Sequence, residues 1–164
     1  MRPVDLRLEG NTGQGGEPRR VKGTWVMAGV PHLVTAVPDA HAMSAAELRA
    51  SGSALRAHPD LGPEGVNVDF ITIRGPHEVD LRCWERGVEG ETLSSGSGCI
   101  ASALAVTAAG TAWSPIDCRS RAGFVSVVTL LPGDGGAYDA VLSGDARVIY
   151  DGALSPEALE GFTL

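Results

Sequence analysis

The residues with the clearest chemical potential lie directly before a long apolar stretch. Ser95, Gly96, Ser97 and Gly98 precede residues 99–109 (CIASALAVTAA), which have helical length and carry no charge. Backbone N–H groups at the start of a helix lack intrahelical partners and lie at the positive end of the helix dipole. With so little side-chain bulk, the segment predicts a site for a carboxylate or phosphate. A capped helix with flexible glycines is the alternative interpretation.

Two further segments contribute polar side chains. Residues 79, 81 and 83 are apolar and alternate along a predicted strand, and Glu85 continues that buried face next to Arg86. A carboxylate there is costly unless it is paired or bonded to a cationic group of a ligand. A local Glu85–Arg86 pair at the surface is the alternative. His32 follows a proline in a break between two predicted strands, where a lone histidine is usually structural.

The three cysteines, Cys83, Cys99 and Cys118, are widely spaced and form neither a CxxC pair nor a disulfide framework. Cys99 lies one helical turn beyond Ser95, where the helix dipole could lower its pKa, but its apolar neighbours favour a buried structural thiol. Residues 1–16 lack the apolar core and basic flank of a secretory signal. We therefore expect a reducing, cytoplasmic location.

Composition argues against two classes of partner. The formal charge is −7, and the densest basic cluster, at Arg19, Arg20 and Lys22, is explained by a solvated strand edge. Proteins that bind a phosphate backbone concentrate Lys and Arg on one face, and only 5% of the residues are aromatic. No stretch reaches the ~18 apolar residues that span a bilayer. We expect neither a nucleic-acid nor a membrane partner.

Hydrophobic periodicity predicts an α+β fold. Period-two patterns indicate strands over residues 21–27, 33–37, 66–73, 79–84, 117–121, 124–131, 138–143 and 146–150. Ser44 and Glu47 form a capping box before a short helix, which is predicted to be interrupted near Gly52. The apolar helix carries no charged face and must be surrounded on all sides. The prediction is a mixed β-sheet or barrel wrapped around one central apolar helix.

Several segments resemble the diaminopimelate epimerase family. Residues 84–98 (WERGVEGETLSSGSG) resemble its signature, in which an ERG…GET segment leads to a catalytic cysteine and then Gly-Thr/Ser-Gly at a helix N-terminus. Ser95 stands at the position of that cysteine. Residues 27–32 (MAGVPH) resemble the family's M-G-N-P-H segment and residues 67–70 (NVDF) its N-V-x-F strand. Residues 143–152 (SGDARVIYDG) resemble its closing G-P-A-x-x-V-Y-x-G strand.

The resemblance implies the C-terminal half of such an enzyme at residues 21–152. A polar leading segment or hairpin precedes it at residues 1–20, and a C-terminal tail follows at residues 153–164. Family members have two similar halves facing each other, each a sheet wrapped about one helix. They convert LL- to meso-diaminopimelate, for lysine and peptidoglycan biosynthesis, by two-base proton transfer with one cysteine from each half. They need no cofactor, and we expect no metal.

The resemblance also implies the site residues for a small amino-acid substrate. The predicted catalytic group comprises Ser95, His32 and Glu85. The predicted substrate-binding group comprises Asn67, Glu85, Arg86, Gly96 and Ser97. In this group the Glu–Arg pair would grip the amino and carboxylate groups of the substrate. The glycine and serine would donate backbone N–H groups to a carboxylate, which also stabilises a carbanionic transition state.

Three functions stay open, because Ser95 replaces a thiol, Val30 replaces a substrate-contacting Asn of the family, and the resemblance covers only the C-terminal half. The first is an epimerase that forms a homodimer or pairs with a complementary N-terminal half. The second is a catalytically inactive binding or remnant half-domain. The third is a proline racemase-like or phenazine-pathway-type isomerase or dehydratase. A half-enzyme exposes an apolar surface, so we also expect self-association or poor solubility.

Overall fold

The computed structural model describes residues 1–8 and 18–161, apart from the side chain of Leu159. The strands are Arg2–Leu8 (β1), Arg19–Ala28 (β2), Val30–Ala36 (β3), Asn67–Gly75 (β4), Glu78–Glu85 (β5), Gly90–Thr92 (β6), Ile116–Ser120 (β7), Val125–Pro132 (β8) and Tyr138–Gly144 (β9). The α-helices are Ala45–Arg56 (α1) and Gly96–Ala108 (α2). Short 3-10 helices cover Pro59–Leu61, Asp134–Gly136 and Pro156–Leu159.

The described strands form one mixed nine-stranded sheet, so the fold is an α+β half-domain with two helices. The strand order is β1-β2-β3-β4-β5-β7-β8-β9, and β6 pairs with β5 beside this path. The β3–β4 and β5–β7 neighbours are parallel, and the other pairs are antiparallel. Parallel neighbours need a crossover connection. Helix α1 lies in the first crossover and α2 in the second.

Helix α2 packs against one face of the sheet and contacts strands β2–β5 and β7–β9. Its small residues, among them Ala101, Ala103 and Ala105, are buried with side chains from several strands in an inner cluster that includes Val26 and Ile116. Small side chains let the strands approach the helix closely. The uncharged helix predicted from residues 99–109 is therefore present, and it begins three residues earlier, at Gly96.

Helix α1 covers the opposite face of the sheet. Leu48 and Leu55 are buried in an outer cluster with Phe70 and Trp84, so the pairing of the two leucines on one helix face is confirmed. The capping box is also confirmed. Ser44 Oγ accepts a hydrogen bond from the Glu47 N–H at 3.2 Å, and Glu47 Oε2 accepts from the Ser44 N–H at 2.8 Å.

Three local predictions are wrong. His32 lies inside β3 rather than in a break between two strands, because residues 30–32 pair with β2 beyond Gly29. Helix α1 is not interrupted at Gly52, because this glycine lies against an indole ring: a Cβ there would lie 2.6 Å from Trp84 Cγ. Residues 146–150 do not form a strand, because no other strand of the described chain lies alongside to complete their backbone hydrogen bonds. Val148, Ile149 and Tyr150 are instead highly exposed.

The predicted division into residues 1–20, 21–152 and 153–164 stays a prediction. Strand β1 pairs antiparallel with β2, so residues 2–8 join the same sheet as the rest of the chain. Residues 9–17, inside the predicted leading hairpin, lie outside the described residues.

Candidate functional site

Ser95 is the N-cap residue of α2 and is buried. Its Oγ accepts a hydrogen bond from the Gly98 N–H at 3.3 Å, and its carbonyl accepts from the Cys99 N–H at 3.0 Å. A Cβ at Gly98 would lie 2.9 Å from Ser95 Oγ, so the absence of a side chain there lets the cap close over the first turn. Ser95 therefore stabilises the helix start.

Gly96 and Ser97 are the first two residues of α2, and both are partly exposed. Their N–H groups precede the first intrahelical hydrogen bond, so they remain available to an anion. A Cβ at Gly96 would lie 2.9 Å from Leu142 Cδ2, which places strand β9 close to this helix end. Their role in binding a substrate carboxylate stays a prediction.

A buried chain of hydrogen bonds links Arg86 to Asp69 through two of the predicted site residues. The Arg86 N–H donates to Asn67 Oδ1 at 2.9 Å, Asn67 Nδ2 lies 3.4 Å from His32 Nε2, and His32 Nδ1 lies 2.7 Å from Asp69 Oδ2. A neutral His32 that donates from Nδ1 and accepts at Nε2 satisfies every one of these contacts. The chain therefore fixes the orientation of the Asn67 amide.

Strand register places these side chains together. His32 on β3 is directly opposite Asn67 on the parallel strand β4, and Asp69 on β4 is opposite Cys83 on β5. Residues two apart on a strand share a face, so Asn67 and Asp69 point the same way. His32 is fully buried with both ring nitrogens in contact. Its ring contacts the Asn67 amide. The role of His32 at the reacting centre stays a prediction.

Glu85 is the last residue of β5, and Arg86 begins the turn that follows it. Glu85 is only partly buried, whereas residues 79–84 before it are all buried. Val79 and Leu81 lie in the inner cluster and Trp84 in the outer one, so both faces of β5 are covered. The Arg86 guanidinium pairs with the carboxylate of Glu64 at 3.1 Å rather than with its neighbour. The structure thus brings Glu85, Arg86 and Asn67 together, with the Arg86 side chain turned towards the surface.

Asp69 is the polar group that sequence reasoning missed. It is fully buried, one oxygen contacts His32, and Asp69 Oδ1 has no hydrogen-bond partner among the described residues. A Cβ at Gly98 would lie 2.7 Å from this free oxygen, so the carboxylate faces the first turn of α2. The available signal was an acidic residue inside the apolar strand VNVDFITI, in period two with Asn67.

The fold gathers all three cysteines around one small cavity. Cys83, Cys99 and Cys118 line a space of about 20 Å³ together with Ser95 and Ser126. That volume is enough for about one water molecule. Burial raises the pKa of Cys83, and the carboxylate of Asp69 raises it further.

Cys99 and Cys118 interact with each other. Cys118 Sγ donates to the Cys99 carbonyl at 3.6 Å. Hydrogen bonding from the Cys118 thiol lowers the pKa of Cys99, and the same interaction, followed by burial, raises the pKa of Cys118. Cys99 is buried, as its apolar neighbours predicted.

A second polar cluster positions the loop that leads to Ser95. The buried guanidinium of Arg82 donates two hydrogen bonds to the carboxylate of Glu91, at 2.7 and 2.9 Å. It also donates to the carbonyls of Ala40 and Met43. Arg121 adds two longer contacts to Glu91, at 3.3 Å. Bidentate charge-assisted bonds are strong and directional, so this clamp ties β6 to β5 just before α2.

Neither a metal cluster nor a membrane-spanning helix occurs in the described part of the chain. Residues 1–8 and 18–161 contain no group of three or more His, Cys, Asp or Glu side chains arranged to hold a metal ion. Within the same residues no helix is long and apolar enough to cross a membrane.

The fold is similar to that of a solved racemase-like protein. A probable proline racemase from Agrobacterium radiobacter K84 superposes with a TM-score of 0.58 over 98% of this chain and 53% of that chain. Its sequence is 21% identical, so the likeness concerns the fold alone.

Sequence comparison identifies the family. A model of the family described as diaminopimelate epimerase matches residues 24–148. A diaminopimelate epimerase of Gemmatimonas aurantiaca is 35% identical over 162 residues, which cover 94% of this chain and 55% of that protein. One from Aquifex aeolicus is 32% identical over 141 residues, covering 85% and 48%. The chain thus spans about half the length of these curated relatives. It belongs to the diaminopimelate epimerase family.

Proposed function

We propose that this chain is one half of a cofactor-independent amino-acid epimerase that converts LL- to meso-diaminopimelate and needs a second half-domain. One observation carries the proposal: Ser95, at the start of α2, lies beside the buried hydrogen-bond chain from Arg86 through Asn67 and His32 to Asp69. The residue that the motif resemblance places at the position of a catalytic cysteine is thereby combined with a fixed polar side chain and a helix N-terminus.

Each group has a distinct part in the proposed reaction. The backbone N–H groups of Gly96 and Ser97 receive the substrate α-carboxylate, and their dipoles stabilise the negative charge that develops when the α-proton leaves. The partly buried carboxylate of Glu85 binds the α-ammonium group. The fixed amide of Asn67 orients the substrate, and the Arg86 guanidinium binds the distal carboxylate after leaving Glu64.

Inversion of a carbon centre needs one acid–base group on each side of it. In this half that group is Ser95, and its partner on the other face comes from the second half. A free hydroxyl is a much weaker acid than a thiol, whose pKa is about 8.5. Ser95 therefore needs assistance from its neighbours to exchange protons.

The surface of the chain supports a second half. Strand β9 has no outer neighbour in the described sheet and is exposed along its whole length. The following segment exposes Val148, Ile149 and Tyr150, each by more than 80%. Unpaired strand edges and contiguous apolar side chains are typical of surfaces that another chain covers. A homodimer or a complementary N-terminal half would provide that cover.

Substrate binding without turnover is the second candidate. It is favoured by the contact of Ser95 Oγ with the Gly98 N–H, a capping role that needs no acid–base chemistry. The two candidates make opposite predictions for proton exchange.

The test is exchange of the α-proton of LL-diaminopimelate in deuterated water, followed by NMR. We would compare the wild-type chain and Ser95→Cys, each alone and mixed with the N-terminal half of a relative. We expect exchange in the wild-type mixture and faster exchange with Ser95→Cys. If Ser95→Cys exchanges the proton and the wild-type chain does not, the natural sequence binds the substrate without turning it over. If neither protein exchanges the proton while both bind the substrate, the epimerase proposal fails.

A further inference from the structure

The carboxylate of Asp69 has one oxygen engaged and one oxygen free. Oδ2 contacts His32 Nδ1 at 2.7 Å, and Oδ1 has no hydrogen-bond partner in the described part of the chain. A Cβ at Gly98 would lie 2.7 Å from Asp69 Oδ1 and 2.9 Å from Ser95 Oγ. Asp69 Oδ1 and the Ser95 hydroxyl therefore both lie close to Gly98. A fully buried carboxylate oxygen without a donor is costly, so this position calls for a proton donor.

Cys83 supplies a thiol beside both groups. It is directly opposite Asp69 in the antiparallel β4–β5 pair, and Cβ atoms in such pairs lie about 5 Å apart. It also lines the same small cavity as Ser95. Burial and the neighbouring carboxylate raise the pKa of Cys83, while hydrogen bonding with Ser95 lowers this pKa by a smaller amount. A neutral thiol is therefore favoured at a position that faces Asp69 across the strand pair and shares the cavity of Ser95.

We propose that Ser95, Cys83 and Asp69 form a proton relay that lets a serine act as the acid–base group of this half. The inference rests on the proposed epimerase function and adds the path of the proton. Ser95 is the catalytic residue of the three, because the proposed function places only its side chain against the substrate α-proton. Cys83 and Asp69 act through it, and His32 holds the carboxylate by Oδ2, which leaves Oδ1 without a partner and able to take a proton.

The transfer is balanced at every atom. Ser95 Oγ takes the α-proton, the hydroxyl proton passes to Cys83 Sγ, and the thiol proton passes to Asp69 Oδ1. The electron pair of the broken C–H bond remains on the substrate and spreads into its carboxylate. Ser95 and Cys83 finish neutral and Asp69 finishes protonated, so no alkoxide or free thiolate accumulates. Running the same steps backwards delivers a proton to the α-carbon.

The first experiment needs no substrate and measures the infrared S–H stretching bands of the purified chain. Loss of one band in Cys83→Val identifies the Cys83 thiol, and Cys118→Val identifies the reference thiol, which donates to a carbonyl at 3.6 Å. We expect the Cys83 band at a lower frequency than the Cys118 band, because a carboxylate is the stronger acceptor. Asp69→Asn should raise the Cys83 band and leave the Cys118 band in place.

The opposite result overturns the relay. A Cys83 band at or above that of Cys118, unmoved in Asp69→Asn, means that the thiol does not donate to the carboxylate. If Asp69→Asn does not fold, the relative position of the two wild-type bands still decides, because that comparison needs no variant at Asp69.

The second experiment measures α-proton exchange in the active assembly. Cys83→Val should slow exchange by roughly 10²-fold, the scale of one acid–base contribution, whereas Cys83→Ser should restore most of it because a hydroxyl can also relay a proton. Cys118→Val, which removes another buried thiol from the same cavity, should leave the rate unchanged. In a Ser95→Cys background, Cys83→Val should have little effect, because a thiolate at residue 95 needs no relay.

The outcomes separate the relay from the function. The relay is overturned if wild type and Cys83→Val exchange the proton equally fast. It is also overturned if Ser95→Cys exchanges the proton and wild type does not. Both results are still compatible with an epimerase site. Absence of exchange in every protein, including Ser95→Cys, removes both the proposed function and the relay step. The infrared bands would then still show whether the hydrogen bond exists.

Discussion

Replacement of Glu91 by Gln tests whether a buried ion pair positions the segment before Ser95. The Arg82 guanidinium is only 2% exposed and donates two hydrogen bonds to the Glu91 carboxylate, at 2.7 and 2.9 Å. Removing one charge of a buried pair leaves the other unpaired and costs about 3–5 kcal/mol. Glutamine retains one acceptor oxygen, so we expect the free energy of unfolding to fall by about 3 kcal/mol.

The same carboxylate provides a matched control. Arg121 contacts Glu91 at 3.3 Å with half of its side chain exposed, and pairs of this kind contribute about 0–1 kcal/mol. Arg121→Gln should therefore cost much less than Glu91→Gln in urea denaturation. For a chain of this size, the larger loss corresponds to a decrease in Tm of about 6–12 °C. Equal losses in the two variants would refute the argument that burial of Arg82 dominates.

The clamp also predicts a pH dependence. Arg82, and then Arg121, hold the pKa of Glu91 below its usual value. A carboxyl whose folded pKa is depressed contributes stability above its unfolded pKa, about 4.3, and loses it as pH falls through the folded pKa. The stability difference between wild type and Glu91→Gln should therefore shrink below about pH 4. A difference that is constant between about pH 6 and pH 3 would contradict the ion pair.

Two other variants test the packing and the proposed interface. Gly52→Ala should lower the free energy of unfolding by about 1 kcal/mol. The added Cβ would lie 2.6 Å from Trp84 Cγ, and such overpacking costs about 1–3 kcal/mol. The higher helix propensity of alanine offsets about 1 kcal/mol of this cost. The control is Ser53→Ala, on the exposed side of the same helix, which should change the free energy of unfolding by less than about 0.5 kcal/mol. If Gly52→Ala instead stabilises the protein, α1 is not packed against the Trp84 indole. Ile149→Asp should weaken concentration-dependent self-association in sedimentation experiments. It replaces an apolar side chain that is 91% exposed by a charged one, which would be costly to bury in an interface. Arg147→Gln serves as its control, and unchanged sedimentation of Ile149→Asp would place the interface elsewhere.

Local sequence was sufficient for much of the fold. The capping box at Ser44, the uncharged helix after Gly98 and the alternation that leads to Glu85 depend on neighbours within a few residues. Such features follow from backbone hydrogen bonding and from the periods of helices and strands. The family signature also lies in continuous segments, so the order of the residues is enough to reveal it.

Residues 146–150 show the limit of local pattern. Their composition suits a strand, yet a strand forms only where another strand accepts its hydrogen bonds, and none lies alongside in the described chain. Similarly, Gly52 reads as a helix break, but its contact with Trp84 makes the absence of a side chain an advantage.

The sequence by itself determined the candidate residues Ser95, Asn67 and Glu85, through motif and alternation. Only the tertiary structure decided that Asp69 faces the start of α2 and that Cys83 lies opposite it. The physical reason is that alternation fixes which face a side chain occupies, whereas the register between strands depends on crossovers and packing over long separations. The three cysteines, far apart in the chain, meet at one cavity for the same reason.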